Sequence, residues 1–194
     1  MLVLSVRNQI IIGSVLAVLL IMTRSHHFSA MHTLPGASWA VFFLAGIYLR
    51  SVSSLPWLLA LTWLLDFSAY KWGSGSSDYC LTYAYAFLLP AYGSLWLAGR
   101  WYVSQYQFSW RGLLPLFSSM AVGLVLCELF SSGGFYFFSG RFIEPTLIGF
   151  GQRFVNYFPL YVGSFLLYTV IAIGLHSIVK IIASNRSLRQ VVNG

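Results

Sequence analysis

The chain has 194 residues, of which 58% are hydrophobic and only 8% charged. A soluble domain carries roughly 25% charged residues, so this composition excludes a surface that faces water on all sides and indicates an integral membrane protein, one membrane domain over residues 1–194. The formal charge of +7 reflects four acids against eleven Lys and Arg, not a basic patch; nucleic acid is excluded as a partner, and the bilayer is the expected surrounding.

Hydrophobic runs separated by polar or Gly/Pro-containing breaks predict six spans, at about residues 8–23, 37–50, 55–70, 81–99, 112–130 and 158–183. In the first, Arg7 precedes an apolar run from Ile10 to Met22, the pattern of a signal peptide. Only a weak cleavage site, Phe28 to Ala30, follows it, so the run reads as a membrane helix. The second and third runs are shorter than the roughly twenty residues of a full crossing. Short spans fit a bundle whose outer ends open into a loop-lined cavity, where irregular backbone is tolerated. The breaks fall at Pro35-Gly36, Ser51–Ser54, Gly73–Asp78, Gly99–Arg111 and Ser131–Pro145. Residues 146–157 read either as an interfacial helix or as outer turns of the sixth span.

Orientation follows from Lys and Arg. With the N-terminus inside, seven of them (Arg7, Arg50, Arg100, Arg111, Lys180, Arg186 and Arg189) fall on the inner side. Four (Arg24, Lys71, Arg141 and Arg153) fall outside. The excess predicts cytoplasmic N- and C-termini. Asp66, Asp78, Glu128, Glu144, the histidines His26, His27 and His32, and Cys80 then all lie at or beyond the outer ends of the spans. Trp96, Trp101 and Trp110 read as an inner interfacial belt.

The chain has no GxxxxGK[ST], HExxH, GxSxG or CxxC motif, so neither a P-loop ATPase nor a standard hydrolase reading is supported. Cys80 with one of the outer histidines would make a nucleophile and base, the intramembrane-enzyme reading. Cys127, among Leu124, Val125 and Leu126, reads as a small buried apolar residue. Cys80 ends the polar stretch "KWGSGSSDYC" and has two readings, an incidental interface cysteine or a metal ligand. A bare zinc ion wants about four protein ligands, whereas a metal already held in a macrocycle needs only an axial one. A metal reading therefore points to a broad, flat, metal-centred ligand.

Tyr79, Tyr83 and Tyr85 flank that cysteine, and "GGFYFFSGRF" places Phe135, Tyr136, Phe137 and Phe138 in a second outer loop. These aromatics read equally as pocket walls or as an interfacial belt. Asp66 and Arg153, ionisable at membrane depth, either contact ligand amides or phosphate or brace the loops. His26, His27 or His32 would offer a second axial nitrogen.

With "SSDYCLTYAY" carrying the cysteine, the whole chain resembles BtuM-type proteins, the cobalamin-specific S-components of energy-coupling factor (ECF) transporters. The resemblance implies a six-helix bundle that captures cobalamin with its outer loops in the bacterial cytoplasmic membrane. It implies docking on a coupling subunit attached to two ATPases through small residues of the first helix, here Gly13 and Ala17 of "GSVLA". It further implies that Cys80 coordinates cobalt from the lower axial face, displacing the vitamin's own nucleotide base, while loops 24–36, 71–80 and 131–157 close over the ligand. Cobalamin is then cargo, no prosthetic group is expected, and the primary role is not enzymatic. Thiolate donation weakens the opposite axial bond, so loss of cyanide from cyanocobalamin is an expected side chemistry, with Cys80 its reactive group. A structural or assembly protein is the remaining alternative.

Overall fold

A computed structural model describes residues 5–24, 35–72, 82–105 and 112–192, with side chains through residue 178. All regular structure among the described residues is helical: α1 (Val6–Arg24), α2 (Ser38–Tyr48), α3 (Ser54–Trp72), α4 (Leu88–Gln105), α5 (Leu113–Phe138) and α6 (Leu147–Val192), with a short 3-10 turn, Tyr83–Phe87, leading into α4. Val6–Arg24, Leu113–Phe138 and Leu147–Ile178 are long and apolar enough to cross a membrane. They display Ile10, Val15, Val18, Leu114, Phe117, Leu160 and Val170 outward. Apolar side chains directed away from the core suit a hydrocarbon surrounding and point to a membrane protein.

The centre of the bundle is α2. At 11 residues it measures about 16 Å, and every side chain from Ala40 to Ala45 is buried. Phe43 meets Phe165 of α6 edge to face at 5.3 Å, and Phe42 stacks on Tyr92 of α4 at 4.3 Å. Where α2 crosses α4 the backbones touch. A methyl group on Gly99 would run into the carbonyl oxygen of Phe43, and one on Gly46 into that of Trp96. Small residues at such crossings let helices approach closely. Gly99→Val is accordingly expected to lower the melting temperature of the detergent-solubilised protein. Its cost should lie at or above the about 1–3 kcal/mol usual for overpacking, because the obstacle is backbone.

Prolines sit where a first turn tolerates them, at Pro56 in α3, Pro90 in α4 and Pro115 in α5. Pro159 is different, lying inside α6 with no N–H to offer the carbonyl of Val155. One end of the bundle is fastened by Arg100, whose Nη1 donates to the carbonyls of Leu49 and Arg50 at 3.2 and 2.9 Å. Arg100 also lies 4.9 Å over the Trp96 ring. Trp96 is thus buried and donates to Ser54 Oγ, so it packs between helices and is not part of an interfacial belt.

Several sequence expectations are corrected. The break at Gly99–Arg111 begins later, since α4 runs to Gln105. The aromatic run Phe135–Phe138 is not a loop but the last turn of α5, which extends eight residues beyond the expected end. Of the expected 131–157 loop only residues 139–146 lie between helices, and of the two readings of residues 146–157 the structure takes the second, since residues 147–157 are the first turns of α6. Glu128 consequently lies ten residues, or about 15 Å, inside the end of α5, and not at its outer rim.

Candidate ligand site at the aromatic end of the bundle

The apolar helices bring a few polar residues to one end, and these satisfy one another. Arg24, the last residue of α1, donates from Nε to Asp66 Oδ1 at 2.6 Å and from Nη2 to Asp66 Oδ2 at 2.7 Å. Its Nη1 donates to Ser38 Oγ at 2.9 Å and to the Tyr92 hydroxyl at 2.8 Å. Four of the five guanidinium N–H groups are thereby used, with the planar fork matched to the carboxylate. Asp66 Oδ2 also accepts from the Tyr85 hydroxyl at 2.8 Å. This hub joins α1, α2, α3, α4 and the 3-10 turn. The segment before α2 is tied in as well, with Ala37 N donating to Thr23 Oγ1 and the Tyr168 hydroxyl donating to the Pro35 carbonyl.

The same turn is fastened on its other side. Phe87, two residues after Tyr85, stacks on Phe138 at 4.8 Å. It lies so close to Gly134 that no larger residue fits there without displacing the ring. Beyond it the aromatics continue from α5 to α6. Tyr136 lies 4.5 Å from Phe142 and 6.0 Å from Phe150, and Phe154 stacks on Phe158 at 4.7 Å. Tyr136 is buried, and its hydroxyl accepts from the backbone N–H of Thr146 at 3.3 Å. Arg153 spreads over three rings, 5.0 Å from Phe142, 5.1 Å from Tyr157 and 5.9 Å from Tyr136. Such cation–π contacts each contribute roughly 0.5–1 kcal/mol when exposed and more when desolvated.

Of the residues singled out from the sequence, Asp66 and Tyr85 meet directly, and Tyr136 and Arg153 meet in the aromatic cluster. Phe135 touches Phe142 edge to face at 5.9 Å and lies beneath Arg141. Phe138 is half exposed against Phe87, and Tyr83 projects freely at 93% exposure, apart from both groups. Gly13 and Ala17 are half-buried, with Gly13 beside the Leu49 side chain, so at least part of that surface packs internally. Cys80, Tyr79, His26, His27 and His32 lie outside the described residues. No group of three or more His, Cys, Asp or Glu with metal-binding geometry occurs among the described residues. Cys127 is fully buried.

Sequence reading overlooked Arg24 as a partner of Asp66, and Tyr92 with it. A signal did exist, because alternating spans place the end of the first and the end of the third on one side. Comparison with models of known protein families finds none that matches the chain, and no curated protein matches it.

Proposed function

We propose that this protein is a cobalamin-binding membrane subunit of the ECF S-component type, with six spans and both termini in the cytoplasm of a bacterium. In this reading it takes the vitamin from outside the cytoplasmic membrane and passes it inward, with or without a coupling subunit bearing two ATPases. The observation that carries the reading is the double fastening of the 3-10 turn. Tyr85, five residues after Cys80 in sequence, is held by the Arg24–Asp66 pair, and Phe87 is held by α5. That anchoring fixes Tyr85 and Phe87 beside an aromatic surface, a few residues along the chain from the cysteine. The neighbouring rings, over which Arg153 lies, supply the broad apolar faces that a corrin ring needs.

In this account the Cys80 thiolate binds Co(III) from below, and cyanide leaves from above with its electron pair, the cobalt remaining Co(III). The test is the visible spectrum of cyanocobalamin on mixing with purified protein. A shift is expected with the wild type and none with Cys80→Ala. An unchanged wild-type spectrum, or a full shift in the variant, contradicts thiolate ligation. The Cys–His enzyme reading gains no support from the described residues, since all of its candidate residues fall outside them.

A further inference from the structure

Glu128 is the buried group that the hub and the aromatic cluster leave unexplained. It is 1% exposed in the middle of α5, and neither carboxyl oxygen has a hydrogen-bond partner. Ser132, one turn on, is near but does not make a properly directed bond. Gly133 of α5 lies against the Phe150 ring of α6, and the short link 139–146 makes the two helices run in opposite directions. Five residues back along α5, Glu128 is therefore level with the turn of α6 that carries Arg153 and Tyr157. Arg153 forms no salt bridge or hydrogen bond among the described residues and rests on ring faces alone. An unpaired buried carboxyl beside a cation parked on aromatic rings is an incomplete ion pair, costly in an apolar surrounding.

We infer that Glu128 is the waiting partner of Arg153. When a flat ligand takes the aromatic faces of Phe142, Tyr136 and Tyr157, Arg153 leaves them and pairs with Glu128, so ligand binding is coupled to closing an ion pair between α5 and α6. This rests on the proposed function for the identity of the ligand, and on geometry for the switch. Glu128 is here a positioning residue that acts through Arg153.

The experiment measures the affinity for cyanocobalamin of the wild type, Glu128→Gln, Arg153→Gln and the double variant, together with the melting temperature of each without ligand. Glu128→Gln is expected to weaken binding by about tenfold or more, since a displaced cation then has no counter-charge. In the Arg153→Gln background the same change should have less than a twofold effect. Without ligand, Glu128→Gln should melt at or above the wild-type temperature, because it replaces an unpaired ionisable group by a neutral amide of the same shape. Equal effects of Glu128→Gln in both backgrounds, or a lower melting temperature without ligand, overturn the switch while leaving vitamin binding intact. Failure of the wild type to bind cyanocobalamin overturns both the switch and the proposed function.

Discussion

Arg24→Met is expected to destabilise the unliganded protein by about 3–5 kcal/mol, the usual cost of removing one partner of a buried ion pair. The two side chains are only 18% and 21% exposed, so the stranded Asp66 carboxylate gains little help from water. Ser38 and Tyr92 lose a donor in the same step. Asp66→Asn should cost less, since an amide still accepts from Arg24 and from Tyr85. The double change Arg24→Met with Asp66→Leu should recover part of the loss, because replacing both members of a buried pair by apolar groups removes the uncompensated charge. Denaturant or thermal unfolding in detergent measures all three. If Arg24→Met alone is within about 1 kcal/mol of the wild type, the range typical of surface ion pairs, the hub does not hold the bundle end together.

The second large effect concerns ligand affinity and its pH dependence. The nucleophilic and ligating form of cysteine is the thiolate, and metal binding by a thiol releases a proton. The sign follows directly: below the thiol's pKa, each unit of falling pH removes up to about tenfold of the competent form. Cyanocobalamin affinity of the wild type should therefore fall between about pH 8 and about pH 6. In Cys80→Ala it should be weaker throughout and flat over that range. The loss near neutral pH should at least match the about 10–100-fold produced by losing an outer-shell partner of a metal site. Equilibrium titration at several pH values measures both features. Parallel curves for the two proteins would mean that the sulfur takes no part.

These consequences depend on features that the sequence showed unevenly. The apolar runs located α1, α2 and α3 to within a few residues, because hydropathy and helix length are local properties. The ends of α5 were not local. Gly133 and Gly134 read as a break, yet Gly134 is there because Phe87 from a distant turn presses on it, and the helix continues through Phe138. Residues 146–157 read equally as an interfacial helix or as outer turns of the last span, and nothing local decided between them; α6 starts at Leu147 and runs on through Pro159. Misplacing the end of α5 also put Glu128 at a rim, which concealed its burial. The Arg24–Asp66 contact joins residues 42 apart, and no periodicity encodes such a pair. Only the shared side of two helix ends hints at it. The aromatic residues were legible as a group, but not the division between Tyr136, buried and hydrogen-bonded, and Tyr83, fully turned outward.

The physical arrangement explains why a small helical protein would keep costly polar groups at one end. The Arg24–Asp66 hub fixes the turn that follows Cys80, and the α5–α6 aromatics form the surface beside it.

Cobalt K-edge X-ray absorption of the cobalamin-loaded protein tests the central claim most directly. The account predicts a sulfur neighbour in the first coordination shell of cobalt in the wild type, absent from Cys80→Ala. A first shell made only of nitrogen, oxygen and carbon in the loaded wild type would contradict it.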